Sequence, residues 1–149
     1  MTGAGLFALL ARVHGLVAAL ALALVLHPVL SLRHPGRPRP MTRLAAALGA
    51  GLLTLNALGG AELYPTYRQG IKPALVHGAV EAALHFERKE HLAVIAVCLV
   101  QAGAALLVAL PGAAPARRAA RLLLGLGALI GVLTGLLGLW VAAVAHPAW

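Results

Sequence analysis

Four long apolar runs dictate what this chain can become. They cover Val13–Leu32, Leu44–Leu63, Leu92–Leu110 and Leu122–Ala145, and each holds 19 to 24 residues. A hydrocarbon core of about 30 Å takes about 20 helical residues to cross. Unpaired backbone amides cannot sit in lipid, so such runs must be helical there. The sequence therefore predicts an all-α fold: a bundle of four transmembrane helices forming one domain over residues 1–149. Composition agrees, with 61% hydrophobic and only 11% charged residues, where a soluble domain carries about a quarter charged. The apolar mass is mostly Ala, Leu, Val and Gly, which suits helices that approach one another closely in lipid. The start of the chain lacks a basic segment ahead of its apolar run, and that run is long enough to span, so a retained first helix is expected.

The polar links differ in character. The first, Arg33–Arg43, holds four Arg and three Pro, and the third, Pro111–Arg121, holds three Arg and two Pro. The second, from about Tyr64 to Glu90, mixes Arg68, Lys72, Arg88 and Lys89 with Glu81, Glu87 and Glu90; Glu62 lies just before it, and these four Glu are the only acids. This link reads as an outward-facing loop whose latter part, Ala79–Lys89, forms an interfacial helix leading into the third span. Seven Arg without an acid on links one and three predict that these face the cytoplasm of a bacterial inner membrane. Both termini and the second link then face the periplasm. Nucleic acid is excluded as a partner, because no soluble basic face can be drawn. Cys98, the only cysteine, cannot form a disulfide within the chain.

Depth in the membrane groups the polar residues. His14 enters the first span at the outer rim with Arg12 just above it. His91 enters the third span at the same level with Glu90 above it, while Glu62 and Tyr64 end the second span and His146 ends the fourth. Ionisable groups at the membrane edge are costly and usually have partners and a role. Two imidazoles at one depth suit the axial positions of a haem iron. Gly15 leaves room for a porphyrin edge, and Arg12 and Arg68 suit the propionates. Each His could also serve only as an interfacial side chain.

Glu87, Glu90 and His91 share a helix face. With His85, His77 or Glu62 they form an alternative mononuclear metal set; the plainer reading is acids at a helix start. Tyr64 and Tyr67 are ordinary boundary anchors, yet with His and Arg nearby they also suit a quinone headgroup. Gly127, Gly131 and Gly135, spaced by four, form a small-residue stripe for packing inside the bundle or for a homodimer or larger-complex seam, the former being favoured. Asn56 and Gln101 suggest hydrogen bonds between helices. No phosphate-binding glycine loop is present, Ser31 is the only serine, and no charge lies mid-membrane. These facts set aside nucleotide hydrolysis, serine nucleophiles and ion-coupled transport.

The run Glu62 to His91, with Tyr64-Pro65-Thr66-Tyr67-Arg68 and Phe86-Glu87-Arg88-Lys89-Glu90-His91, resembles a signature of small bacterial membrane proteins of unassigned function. It covers about a fifth of the chain and implies no activity. In helix number and in His14 and His27 the architecture resembles four-helix membrane b-type cytochromes. That likeness implies haem b and electron transport, with quinone as a candidate electron partner. The chain departs from the pattern on the third span, where a second ligand would fall at Gly103 or Ala104, so only one bis-His site can be drawn. His27, next to Pro28, reads more simply as a partner for backbone loosened by the proline. The expected function is a haem b electron-transfer protein. The alternatives are an accessory subunit of a larger membrane complex and a metal-binding membrane protein.

Overall fold

The computed structural model describes residues 3–34 and 36–145. Helix α1 spans Gly3–Ser31 and α2 Pro40–Thr66; a π-helical turn, Tyr67–Ile71, leads into α3 at Lys72–Gly78. Helix α4 spans Val80–Ala109 and α5 Ala114–Ala145, and the described residues contain no strand. The fold is all-α, with four helices long and apolar enough to cross a membrane: Leu9–Ser31, Pro40–Gly78, Val80–Ala109 and Ala114–Val144.

The helices outrun the apolar stretches of the sequence. The 32 residues of α5 reach about 48 Å at 1.5 Å per residue, against a hydrocarbon core of about 30 Å. The loop expected between the second and third spans is the main correction. Helical structure runs from Pro40 through Pro65, the π turn and α3, and breaks only at Ala79, where φ is −155° and ψ 63°. Val80–Lys89 is the first third of α4 and continuous with the span, so it is no separate interfacial helix. Pro40 opens α2, a position whose amide hydrogen would have no intrahelical partner, whereas Pro65 is carried inside α2 and Pro73 follows closely on the π turn. Pro115 lies in the first turn of α5, so that helix starts eight residues ahead of the apolar run. Among the described residues only Gly36 has a positive φ, 121°, in the turn before α2.

Neighbouring helices pack in the cycle α1–α2–α4–α5 and back to α1, which leaves α1 and α4 diagonal to each other. Small residues fill the middle: Ala21, Ala46, Ala50, Ala104, Ala120 and Ala128 are buried against Val25, Val100, Leu107 and Leu124. Gly49 lies against Val25, Gly103 against Leu124 and the Ala120 carbonyl, and Gly127 against Val100 and the Ala96 carbonyl. In lipid these contacts are the driving force, since apolar burial gains nothing over acyl chains. Gly131 faces Leu22 of α1, and only Gly135 of the expected stripe is open. The stripe is thus used mainly inside the bundle. Gln101 bridges two helices, its Nε2 donating to Thr54 Oγ1 at 2.6 Å and to the Ala50 carbonyl at 3.3 Å. The outside is a sheath of leucine, with Leu16 at 72% and Leu139 at 71% exposure, a surface suited to acyl chains and unsuited to water.

The two ends of the bundle are chemically opposite. All four Glu lie toward one end, here called the acidic end; the seven Arg of the two short links lie at the other, the arginine end.

Candidate functional site

At the acidic end, α2, the π turn and α3 pair with α4 as a helical hairpin. Its core is Tyr67, Ile71, Leu75, Ala82 and Ala83, closed by Val141 of α5. The π turn inserts extra backbone and so rotates α3 relative to α2; such bulges concentrate at functional sites. Tyr67 opens the turn and is buried. Its ring stacks on Phe86 of α4, centroids 3.5 Å apart and planes 13° from parallel. Tyr64, one turn earlier, lies 6.1 Å from Tyr67 and 6.3 Å from Phe86. The Tyr67 hydroxyl is buried and has no hydrogen-bond partner; Arg43 Nε at the far end is the only other such side-chain atom among the described residues. A buried hydroxyl left unpaired costs about 1–3 kcal/mol, so a native one needs an explanation.

On its other face Phe86 carries the Lys89 ammonium, 4.1 Å from the ring centroid. Lys89 is only 16% exposed and is paired with Glu90. Its stem runs inward over Gly138 of α5. Lys72 of α3 pairs with Glu87, across the α3–α4 interface. His14 approaches from α1. Its ring fills a notch at Gly60, where an added Cβ would stand 3.0 Å from His14 Cε1. The ring faces the Asn56 backbone, and its charged neighbours are Lys89 and Glu90. Tyr67, Phe86, Lys89 and Glu90 therefore form one aromatic and ionic group, and His14 of α1 stands within its electrostatic reach.

The expected site residues divide. His14 stands within electrostatic reach of Lys89 and Glu90, the two residues that precede His91. His91 is exposed, with Nδ1 2.8 Å from the Glu87 carbonyl. The inner face of α4 runs through Ala82, Ala96, Val100, Gly103 and Leu107. His91 precedes Val100 by nine residues, about two and a half turns, which sets it on the opposite side of the helix. The inward position at this level belongs to Lys89, so the two imidazoles are not brought face to face across the interior. Arg12, Gly15 and Arg68 are exposed, and Tyr64 is half-buried in the aromatic group.

The alternative metal set is not assembled. Glu87 is held by Lys72, Glu90 by Lys89 and His91 by its own helix. Among the described residues no three His, Cys, Asp or Glu side chains gather as a metal site. His85 packs edge-on to Trp140 at 5.1 Å, His77 and Glu62 are exposed, and His146 lies outside the described residues. His27 meets the Ser31 hydroxyl at 3.4 Å, where the sequence suggested a backbone partner.

Phe86, Lys89 and Lys72 join this group without having stood out as site residues in the sequence, where Tyr67 reads first as an anchor. The spacing of Tyr64 and Tyr67 by three, one helical turn, was the available signal. Comparison with protein-family models, with curated proteins and with solved structures finds no match for the chain.

Proposed function

We propose that the protein is a quinone-binding membrane protein of an electron-transfer system, with the acidic-end aromatic group as the headgroup site. The observation that carries this reading is the buried, unpartnered hydroxyl of Tyr67. A quinone ring is flat, apolar on its faces, and offers two carbonyl acceptors at opposite edges. Tyr67 and Lys89 already cover the two faces of Phe86, so a quinone ring would seat beside the group, against the half-buried Tyr64. Tyr67 supplies a donor that has nothing else to bond. Lys89 and His14 place positive charge and a titratable imidazole close by, where reduction of a quinone needs protons. The isoprenoid tail would lie along the leucine sheath. Electrons would pass to or from a redox partner in the same membrane. Arginines on the short links and glutamates at the other end support a bacterial inner-membrane location with the acidic end and both termini periplasmic.

A haem b reading retains one supporting observation. Nδ1 of His91 is engaged by a backbone carbonyl, which leaves Nε2 as the nitrogen able to ligate, the arrangement common to ligating histidines. It would require α4 to turn His91 inward in place of Lys89, so the residues as they stand do not fit an axial pair.

Both readings are tested on purified protein in nanodiscs. Titration with a short-chain ubiquinone, followed by quenching of tryptophan fluorescence, is expected to saturate. Tyr67→Phe should weaken binding by about threefold to tenfold, the contribution of one neutral hydrogen bond. Non-saturating quenching, or equal affinity of the variant, contradicts the quinone site. A Soret band in the purified protein that is lost in both His14→Ala and His91→Ala would establish the haem reading instead.

A further inference from the structure

The arginine end carries a second feature, independent of the quinone reading. Where α1 ends and α5 begins, the surface opens into a groove of about 510 Å³. Arg33 and His34 line it from one side, and Arg117, Arg118 and Arg121 from the other. Its apolar walls are Leu32 and Leu122. No acid is available to neutralise these guanidinium groups, because every Glu of the chain lies toward the opposite end. Arg117 and Arg118 also sit in the first turns of α5, where the helix dipole is positive and arginine is disfavoured. Four like charges around one groove repel one another and raise the cost of folding. That arrangement is tolerable when an external anion completes it.

The surroundings identify the anion. Leu122 is 66% exposed, and Leu126 and Leu129 continue the same outer surface of α5 at 51% and 57%. A groove with guanidinium forks at its head and an exposed leucine track below it matches a ligand with a phosphate at one end and acyl chains at the other. Planar guanidinium groups bind phosphate oxygens in pairs. A free phosphate would use only the head of this site. We propose that the groove between α1 and α5 binds the headgroup of an anionic phospholipid, its phosphate held by Arg33, Arg118 and Arg121 and its acyl chains lying along Leu122, Leu126 and Leu129. Arg117 contributes charge while its Nη1 donates to the Gly112 carbonyl at 3.3 Å, tying down the link before α5.

Native mass spectrometry of the full chain in detergent tests this. Retention of phosphatidylglycerol is expected to exceed that of phosphatidylcholine of the same chain length by at least about tenfold, since basic side chains at an anionic surface add up. The triple variant Arg33→Gln, Arg118→Gln, Arg121→Gln, which leaves Arg117 and its link in place, should bring the two lipids to about equal retention. Equal retention of both lipids by the wild type, or a preference that survives the triple variant, overturns the proposal. So does displacement of phosphatidylglycerol by an equal concentration of inorganic phosphate, which would mark a free-phosphate site. Should the variant not fold, hydrogen exchange on the wild type decides. Phosphatidylglycerol, and not phosphatidylcholine, is expected to protect residues 32–34 and 114–122, and protection confined to other segments contradicts the assignment.

Discussion

Gly127→Leu is expected to unfold or loosen the bundle, while Gly135→Leu, two turns further along the same helix, leaves it intact. A Cβ on Gly127 would stand 2.7 Å from Val100 Cγ2 and 3.1 Å from the Ala96 carbonyl oxygen. The second contact is backbone and cannot rotate away, so α4 and α5 must separate. Overpacking of this kind costs about 1–3 kcal/mol before the rest of the leucine is accommodated. Separation also forfeits the close van der Waals contact that holds helices together in lipid. At Gly135 nothing lies within 4 Å, and replacing a helical glycine gains up to about 1 kcal/mol of helix propensity. Unfolding in mixed detergent micelles with rising dodecyl sulfate separates the two: a lowered midpoint for Gly127→Leu and an unchanged or raised one for Gly135→Leu. Equal midpoints would mean that α4 and α5 do not meet at Gly127.

The second large effect concerns Lys89. Its ammonium sits over Phe86, is paired with Glu90, and is mostly shielded from solvent. Lys89→Leu strands the Glu90 carboxylate among apolar groups and removes the cation from the aromatic face. Loss of one partner of a fully buried pair costs about 3–5 kcal/mol. Glu90 remains 35% exposed, so solvent screening brings the expected loss to about 1–3 kcal/mol. The double variant Lys89→Leu, Glu90→Leu should recover most of this, because replacing both charges leaves nothing unpaired. A double-mutant cycle in the same unfolding assay measures the coupling. A double variant less stable than Lys89→Leu alone would contradict the pairing.

The sequence makes depth legible and leaves azimuth obscure. Counting residues inward from the link places His14 level with His91, because rise per residue is fixed, and in the structure His14 feels Lys89 and Glu90, the two residues before His91. Which way residue 91 points depends on the phase of a 30-residue helix. In a soluble protein the apolar stripe would mark that phase; in lipid, apolar residues lie on both faces, and Val94 and Ile95 are exposed. The usable mark is small size, the series Ala82, Ala96, Gly103 and Ala104 that faces the other helices. Read that way, the phase turns Lys89 inward and His91 outward. The segment from Tyr64 to Glu90 misleads for a different reason. Its prolines and charges imitate a loop, yet helical structure carries through Pro65 and Pro73, and Lys72 and Lys89 find carboxylates within the hairpin. The unpaired Tyr67 hydroxyl is a product of the π turn and of stacking on Phe86, neither of which a local pattern encodes.

A quinone headgroup bound beside Tyr64 and Tyr67 would place a photoreactive ring against that aromatic group. Photolabelling with an azidoquinone in nanodiscs, with peptide mapping of the labelled chain, tests this placement directly. Label is expected on peptides carrying Tyr64, Tyr67 or Phe86, and excess unlabelled quinone should compete it away. Label spread along the exposed leucines of all four helices, unchanged by competitor, would show that quinone merely dissolves in the surrounding lipid.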